Sequence, residues 1–466
     1  MHNQYQFPSR WPYRIGLLTM IGLLALSAVF YKERTLFADI AYQTVLMIQE
    51  GGLQVQVFRF GSAVVHILPY LAIQAEMALE VVLFSYSISF TLLYLGLYLL
   101  ITRWLKNDYL GLVVVFLFTL TVFDGFYWAT SEFQQGLAFT VFFVAFLLRF
   151  PKLEGVWTKA FTFLMVPTLV FYHPLIFVPF FFFVIFFLLR NKDLRNRNIY
   201  LTIAFFIIVM ILKHLFAGNW YDSGKFDQFS KALKEYFPNY LSMPVNKKFL
   251  VNSLKYWYLF PVFFFLVEGW YLMKKKYFMA GFVFISCLGY LALIHIGSPN
   301  ATYRFYIEVS YMPLTLFVMT PFIFDLLPKL QAKTIMVLLI GLFAFRLIAI
   351  SLNHKPYQER LEWISQKIGE GQEKFPGQKV FVIQNSKELE EKVIISWGVA
   401  YESILLSWMK DKENQTCLLV LQRDGQYANE LKQDSLLLTT FKQFPYEELN
   451  TAYLNFERDT YEWLEE

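Results

Sequence analysis

Carboxylates, arginines and histidines collect at the ends of apolar runs in this 466-residue chain. Glu33, Asp39, Glu50, Arg59 and His66 follow the first apolar run; Asp124 and Glu132 flank Phe126, Tyr127 and Trp128; His173 precedes Pro174; Asp222 and Asp227 open a long polar stretch; Arg304 and Glu308 lie one helical turn apart. A carboxylate can take the proton of an acceptor hydroxyl, and an arginine fork can hold a phosphate that leaves with negative charge. On that chemistry Asp39, Glu33, Asp124 and Glu132 are the catalytic candidates. Arg59, His173, Arg304 and Arg346 are the candidates for binding substrate or a lipid phosphate.

Each candidate also has a plainer reading. Asp39 is either the base or a solvated residue of a surface helix. Arg304 and Glu308 either bind phosphate or neutralise each other across one turn. His173 is equally a turn residue, and the aromatic residues between Asp124 and Glu132 form either a sugar platform or an interfacial belt. Arg346 lies well inside an apolar run, where an arginine costs on the order of 3 kcal/mol, so it needs an interior partner; Glu268, Asp325 and a lipid phosphate qualify.

Composition sets the class of element that must position these groups. The chain is 57% hydrophobic and only 17% charged, and its apolar residues fall in long runs, the pattern of a polytopic membrane protein. The formal charge of +5 is carried in short basic clusters between the runs, which orient a membrane chain and do not form a nucleic-acid patch. Two cysteines are too few for a disulfide framework or a sulfur-rich metal site. The first run, Ile15 to Tyr31, follows Arg10 and Arg14 without a small-residue cleavage pattern and reads as an uncleaved first helix with its amino end inside.

Further spans are expected at Val81–Ile101, as two helices in Tyr109–Leu148, as a hairpin of two short helices in Ala160–Leu189, and at Tyr200–Leu215, Trp257–Met273, Phe278–Ile296, Val309–Leu327 and Thr334–Leu352. The sum is about eleven, in an all-α bundle over residues 1–353. The stretch 217–255 puts six lysines on the outer side, against the usual bias. The opposite topology would expel nine basic residues from short loops, so the hairpin reading stands. Leu36, Ile40, Val45, Ile48 and Leu53 predict an amphipathic helix lying along the membrane surface. Residues 354–466 read as a small α/β domain, with strands at Val380–Ile383, Leu418–Leu421 and Leu436–Thr440 and helices at Lys387–Met409 and Tyr446–Leu464.

The inside amino terminus, FADIAYQ after the first span, FRFGSAVVHILPYLA before the second, the acidic loop DGFYWATSE and an extracytoplasmic tail together resemble the GT-C glycosyltransferases. The resemblance implies a multi-pass enzyme of the bacterial inner membrane. Such an enzyme uses a polyprenyl-phosphate-linked sugar as donor and a glycan, lipid or protein as acceptor, with membrane lipid as its surroundings and no nucleic acid. The aspartate of the first outer loop is central in that family, and by position the role falls on Asp39. Members differ in whether they need a divalent cation, so the metal stays open. Two other readings remain: an O-antigen or exopolysaccharide polymerase or ligase centred on Arg59 and Arg304, and a transporter, although the charges gather at one face and no inverted repeat is visible.

Overall fold

The computed structural model describes residues 5–301, 303–423, 431, 434–439, 442–457 and 461–464. Most of the chain is helical. It opens with α1 (Trp11–Val29), started by Pro12 in the first turn, where a missing N–H costs nothing. Three elements fill the loop that follows: α2 (Tyr31–Thr35), α3 (Ala38–Glu50) and α4 (Ala63–Gln74). Then come α5 (Leu79–Leu99), α6 (Asp108–Leu117), the four-residue α7 (Asp124–Tyr127), α8 (Glu132–Arg149), α9 (Val156–Tyr172), α10 (Phe177–Arg190) and α11 (Arg197–Phe216). The bundle finishes with α12 (Trp220–Glu235), α13 (Pro244–Lys255), α14 (Leu259–Met273), α15 (Tyr277–Gly297), α16 (Arg304–Pro321) and α17 (Ala332–Leu352). Side-chain caps start several of them: Asn107 accepts from the Leu110 N–H at 2.9 Å, Asn196 from that of Asn198 at 3.0 Å, and Asn219 from that of Asp222 at 2.8 Å.

The long apolar runs of residues 1–353 fall on helices: α1, α5, α6, α8, α9, α10, α11, α14, α15, α16 and α17. Among the described residues six helical runs are long and apolar enough to cross a membrane. They are Trp11–Val29, Leu79–Trp104, Arg197–Phe216, Tyr277–Gly297, Arg304–Lys329 and Ala332–Lys374, and α13 with α14 adds a seventh if that bent pair counts as one span. Shorter apolar helices occupy Asp108–Leu117, Val156–Tyr172 and Pro174–Arg190. The run Arg304–Lys329, which contains α16, lies at the centre, almost wholly enclosed by its neighbours.

The last of these runs does not stop at the bundle. It continues past Asn353 into α18 (Lys355–Lys374), the first helix of the tail. After it come β1 (Val380–Gln384), α19 (Lys387–Lys392), α20 (Val399–Lys410), β2 (Cys417–Leu421), β3 (Ser435–Thr439), β4 (Lys442–Pro445) and β5 (Tyr461–Leu464). β2, β1 and β5 form a parallel sheet in that order, with Val380 opposite Cys417 on one side and Tyr461 on the other. Such strands are buried on both faces, which is why VFVI and CLLVL read as unbroken apolar runs. β3 and β4 make a separate antiparallel pair.

Three expectations need correction. The helix predicted over Tyr446–Leu464 is instead a short turn at Tyr446–Glu448 followed by β5, because Tyr461 and Trp463 pair with β1 across about eighty positions; residues 458–460 of that prediction lie outside the described residues, as does Thr440 of the third strand. The helix predicted over Lys387–Met409 is broken between α19 and α20, where Ile394 has a φ of 64°. α3 exists where an amphipathic helix was predicted, but α20 of the tail packs on it, and Ala38, Ile40, Ala41, Val45, Met47 and Ile48 are buried. Protein, rather than a bilayer surface, covers its apolar side.

Candidate functional site

The first turn of α3 holds Asp39. The residue before it, Ala38, has a φ of 34°, a left-handed value that an alanine adopts only when its surroundings impose it. Those surroundings belong to the tail. The Ala38 N–H donates to Glu402 Oε1 at 2.7 Å, and Glu402 also accepts from Arg360 through Nε at 2.6 Å and Nη2 at 2.7 Å. Both charges are fully buried. Gly398, one turn before Glu402, has no room for a side chain, because a Cβ would stand 2.6 Å from the Ala38 Cα.

The Asp39 carboxylate is partly buried and accepts a hydrogen bond from the indole N–H of Trp128 at 3.0 Å. Burial, with the charge of Glu132 nearby, pushes its pKa up to about 6. The Trp128 ring packs against Phe305 at 5.1 Å and Tyr306 at 5.8 Å. Tyr306 in turn shares a 2.8 Å hydrogen bond between hydroxyls with Tyr221 of α12.

Behind Tyr306 and Tyr221 opens a cavity of about 330 Å³. Its wall combines apolar residues, among them Phe226, Phe229, Val245, Leu293 and Ile294, with the polar Arg59, His173, Asp222 and Lys225. Arg59 pairs with Asp222 at 3.0 Å and Glu132 at 3.6 Å and lies over the Tyr221 ring. His173 stands in the break between α9 and α10 and accepts the Leu175 N–H at Nδ1, which leaves the proton of the neutral ring on Nε2. Burial keeps that ring neutral, and the charges of Arg59 and Lys213 act in the same direction. Gly61 allows this closeness, since a Cβ there would fall 2.3 Å from the Tyr172 ring. Asp39 does not line this cavity and is separated from it by Trp128 and Tyr306.

A second, more polar cavity of about 660 Å³ lies between bundle and tail, lined by Asp124, Lys248, Tyr256, Tyr303, Arg304, Phe305, Tyr357, Lys387 and Glu390 among others. Phe305 belongs to its wall and also touches Trp128.

Several candidates have different partners from those expected. Arg304 does not pair with Glu308. It forms a two-pronged ion pair with Asp124, with Nη2 to Oδ1 at 2.6 Å, and Asn353 joins them by donating to Asp124 at 2.7 Å. Glu308, fully buried, accepts instead from the backbone N–H groups of Phe123 at 2.6 Å, Asp124 at 3.2 Å and Gly125 at 2.7 Å, and so anchors the start of α7. Arg346 reaches neither Glu268 nor Asp325: it donates to the Thr119 and Val122 carbonyls, both at 2.7 Å, and satisfies the chain where α6 ends. Asp325 pairs with Arg190. Glu33 lies on α2 in an open groove beside α18, with Lys32 and Glu362, and is not part of the Asp39 cluster.

Other residues of the site were not singled out from sequence. Arg34, fully buried, donates to the Phe126 carbonyl and to Ser87 and so ties α2 to the α7 turn. Its signal was a cation directly after the first span beside an acid. Glu402 is the lone charge in the apolar helical text VAYESILLSWM, and Tyr221 and Tyr306 carried no signal at all.

Among the described residues no three of His, Cys, Asp and Glu converge where a metal ion could sit. Asp124, Glu132 and Asp222 are each held by an arginine. Comparison of the chain with protein-family profiles, curated proteins and solved structures gives no match.

Proposed function

We propose that this chain is an integral membrane glycosyltransferase of the GT-C kind that moves a sugar from a polyprenyl-phosphate donor to an acceptor hydroxyl at the extracytoplasmic face. In this reading the bundle crosses a bacterial inner membrane about eleven times, with the amino terminus in the cytoplasm and the tail outside. The observation that carries it is the pairing of a partly buried carboxylate, Asp39 on Trp128, with a neighbouring cavity whose wall combines apolar residues with Lys225 and the imidazole of His173. An isoprenoid phosphate has both characters.

The chemistry balances without a further reactant. Asp39 takes the proton of the acceptor hydroxyl, the acceptor oxygen bonds to the anomeric carbon, and the bond from that carbon to the phosphate oxygen breaks with its electron pair. Polyprenyl phosphate leaves, its charge met by Lys225 and the Nε2–H of His173. A base with a pKa of about 6 is ionised at neutral pH and still basic enough to accept the proton. The polar cavity, whose wall includes the Phe305 that packs on Trp128, gives a hydrophilic acceptor its approach. An arginine-centred polymerase or ligase finds less support, since Arg59 and Arg304 are each neutralised by carboxylates.

The test is sugar transfer from a synthetic polyprenyl-phosphate sugar by purified, reconstituted protein. Asp39→Asn should lower the rate by a factor of about 10³ or more while donor binding persists, on the scale of losing the group that accepts the proton and orients the nucleophile. Retained transfer in that variant would remove Asp39 from the mechanism.

A further inference from the structure

The segment between α11 and α14 turns its greasy residues outward. α13 buries Asn252 and Ser253 and exposes Leu250, Val251 and Leu254, the reverse of what a helix in water does. On α12, Phe226 and Leu233 are exposed, and Phe237 follows just past its end; at spacings of seven and eleven from Phe226 they continue one helical face. Leu241 between the two helices is 92% exposed, Trp220 80% and Phe237 72%.

We propose that α12 and α13 lie in the plane of the bilayer, on the face that carries Asp39 and the tail, with these residues in the acyl boundary and their lysines among anionic phospholipid headgroups. The flanking elements fix the level. α11 is long and apolar enough to span and ends at Phe216, and the apolar α14 starts at Leu259, so the segment leaves and rejoins the chain at a membrane boundary. α13 meets α14 at 90°, and α14 packs along α15 and α16, both of spanning length. A helix at right angles to the spanning direction runs along the surface. The pairing of Asp222 on α12 with Arg59 sets the segment on the same face as the first loop.

The charge pattern identifies the occupant as lipid. Residues 217–258 carry six lysines against three acids, Asp222, Asp227 and Glu235, and Asp222 is already taken by Arg59. Lysine stems lie along apolar surface while their ammonium groups reach anionic phosphates. Lys225 and Lys248 line the two cavities, and the other four of the six lysines that strain the sequence-based topology, Lys231, Lys234, Lys247 and Lys255, thus have a use at the headgroups. Because Tyr221, Phe226 and Phe229 of α12 also line the 330 Å³ cavity, that cavity has a wall embedded in the leaflet from which a lipid would enter.

The experiment is nitroxide depth measurement by electron paramagnetic resonance. Both native cysteines, Cys287 and Cys417, are buried, so single variants Leu241→Cys and Leu254→Cys can be labelled selectively in the full chain, with Glu373→Cys on the tail as a water-exposed reference. In nanodiscs of phosphatidylethanolamine and phosphatidylglycerol, labels at 241 and 254 should favour oxygen over a water-soluble nickel chelate, at a depth of about 5–10 Å below the headgroups. Nickel accessibility equal to that at 373 would overturn the proposal, as would exclusion of both reagents that grows with protein density and so marks a second copy of the chain. Replacing phosphatidylglycerol by phosphatidylcholine, or combining Lys231→Glu, Lys234→Glu and Lys247→Glu, should make the 241 label shallower; an unchanged depth would refute the role of the lysines. None of these readouts depends on sugar transfer.

Discussion

Asp39 owes its chemical character to burial, which raises its pKa, and to two neighbours of opposite effect: Glu132 raises it further and Trp128 stabilises the charge. If the anion is the working form, kcat/KM should rise with pH along a limb centred near 6. Glu132→Gln removes the repelling charge and frees Arg59, so the limb should move to lower pH; a limb that stays or moves up would show that another group titrates. Stability carries the complementary sign. The folded pKa is raised above the unfolded 3.8, so ionisation of Asp39 costs folding energy that is absent well below pH 4 and complete above about pH 6. Asp39→Asn should therefore melt no lower than the parent at pH 7.5 while losing activity, a pair of results that a merely structural aspartate would not give. Asp39 stood out in the sequence by its place after the first span. Its partners were not legible, since Trp128 lies 89 positions away, and the local rule that pairs Arg304 with Glu308 lost to an ion pair spanning 180 positions.

At the scale of elements, the α7 turn is held by charges placed on other helices. Glu308 takes three backbone N–H groups at its start and Arg34 takes a carbonyl at Phe126, so a helix of four residues persists without length of its own. Glu308→Ala should leave those N–H groups unsatisfied in a dry interior and cost about 3 kcal/mol or more in thermal unfolding. Glu308→Gln, which keeps an acceptor oxygen, should cost less. Helical runs could be read from the sequence because apolar length and period are local properties. The environment of α3 could not, because an amphipathic pattern states that one side is covered without stating by what. β5 was hidden for a related reason: its pairing with β1 is made at long range, and the text around it has helical spacing.

For the whole molecule, the tail is joined to the bundle by more than its chain. The buried Arg360–Glu402 pair ends on the backbone of Ala38, Asn450 donates to the Ile48 carbonyl at 2.8 Å, and Lys442 pairs with Glu50 at 2.6 Å, so both ends of α3 are held by residues of the tail. Glu402→Ala leaves a buried arginine without its carboxylate, a loss of about 3–5 kcal/mol. Hydrogen exchange should then quicken in α3 and α20 while the spanning helices stay protected. Unchanged exchange in α3 would mean that the tail does not brace it.

The continuous run Ala332–Lys374 sets the geometry of that embrace. This run of 43 residues, α17 and α18 joined through Asn353 and His354, makes a strut of about 65 Å, longer than the roughly 30 Å hydrocarbon layer needs. A protein whose terminal domain stands on such a strut, rather than on a tether, cannot lift that domain away to admit a bulky substrate and then lower it again. In the transferase proposed above, the acceptor would then have to enter sideways, between two masses already set at a fixed height.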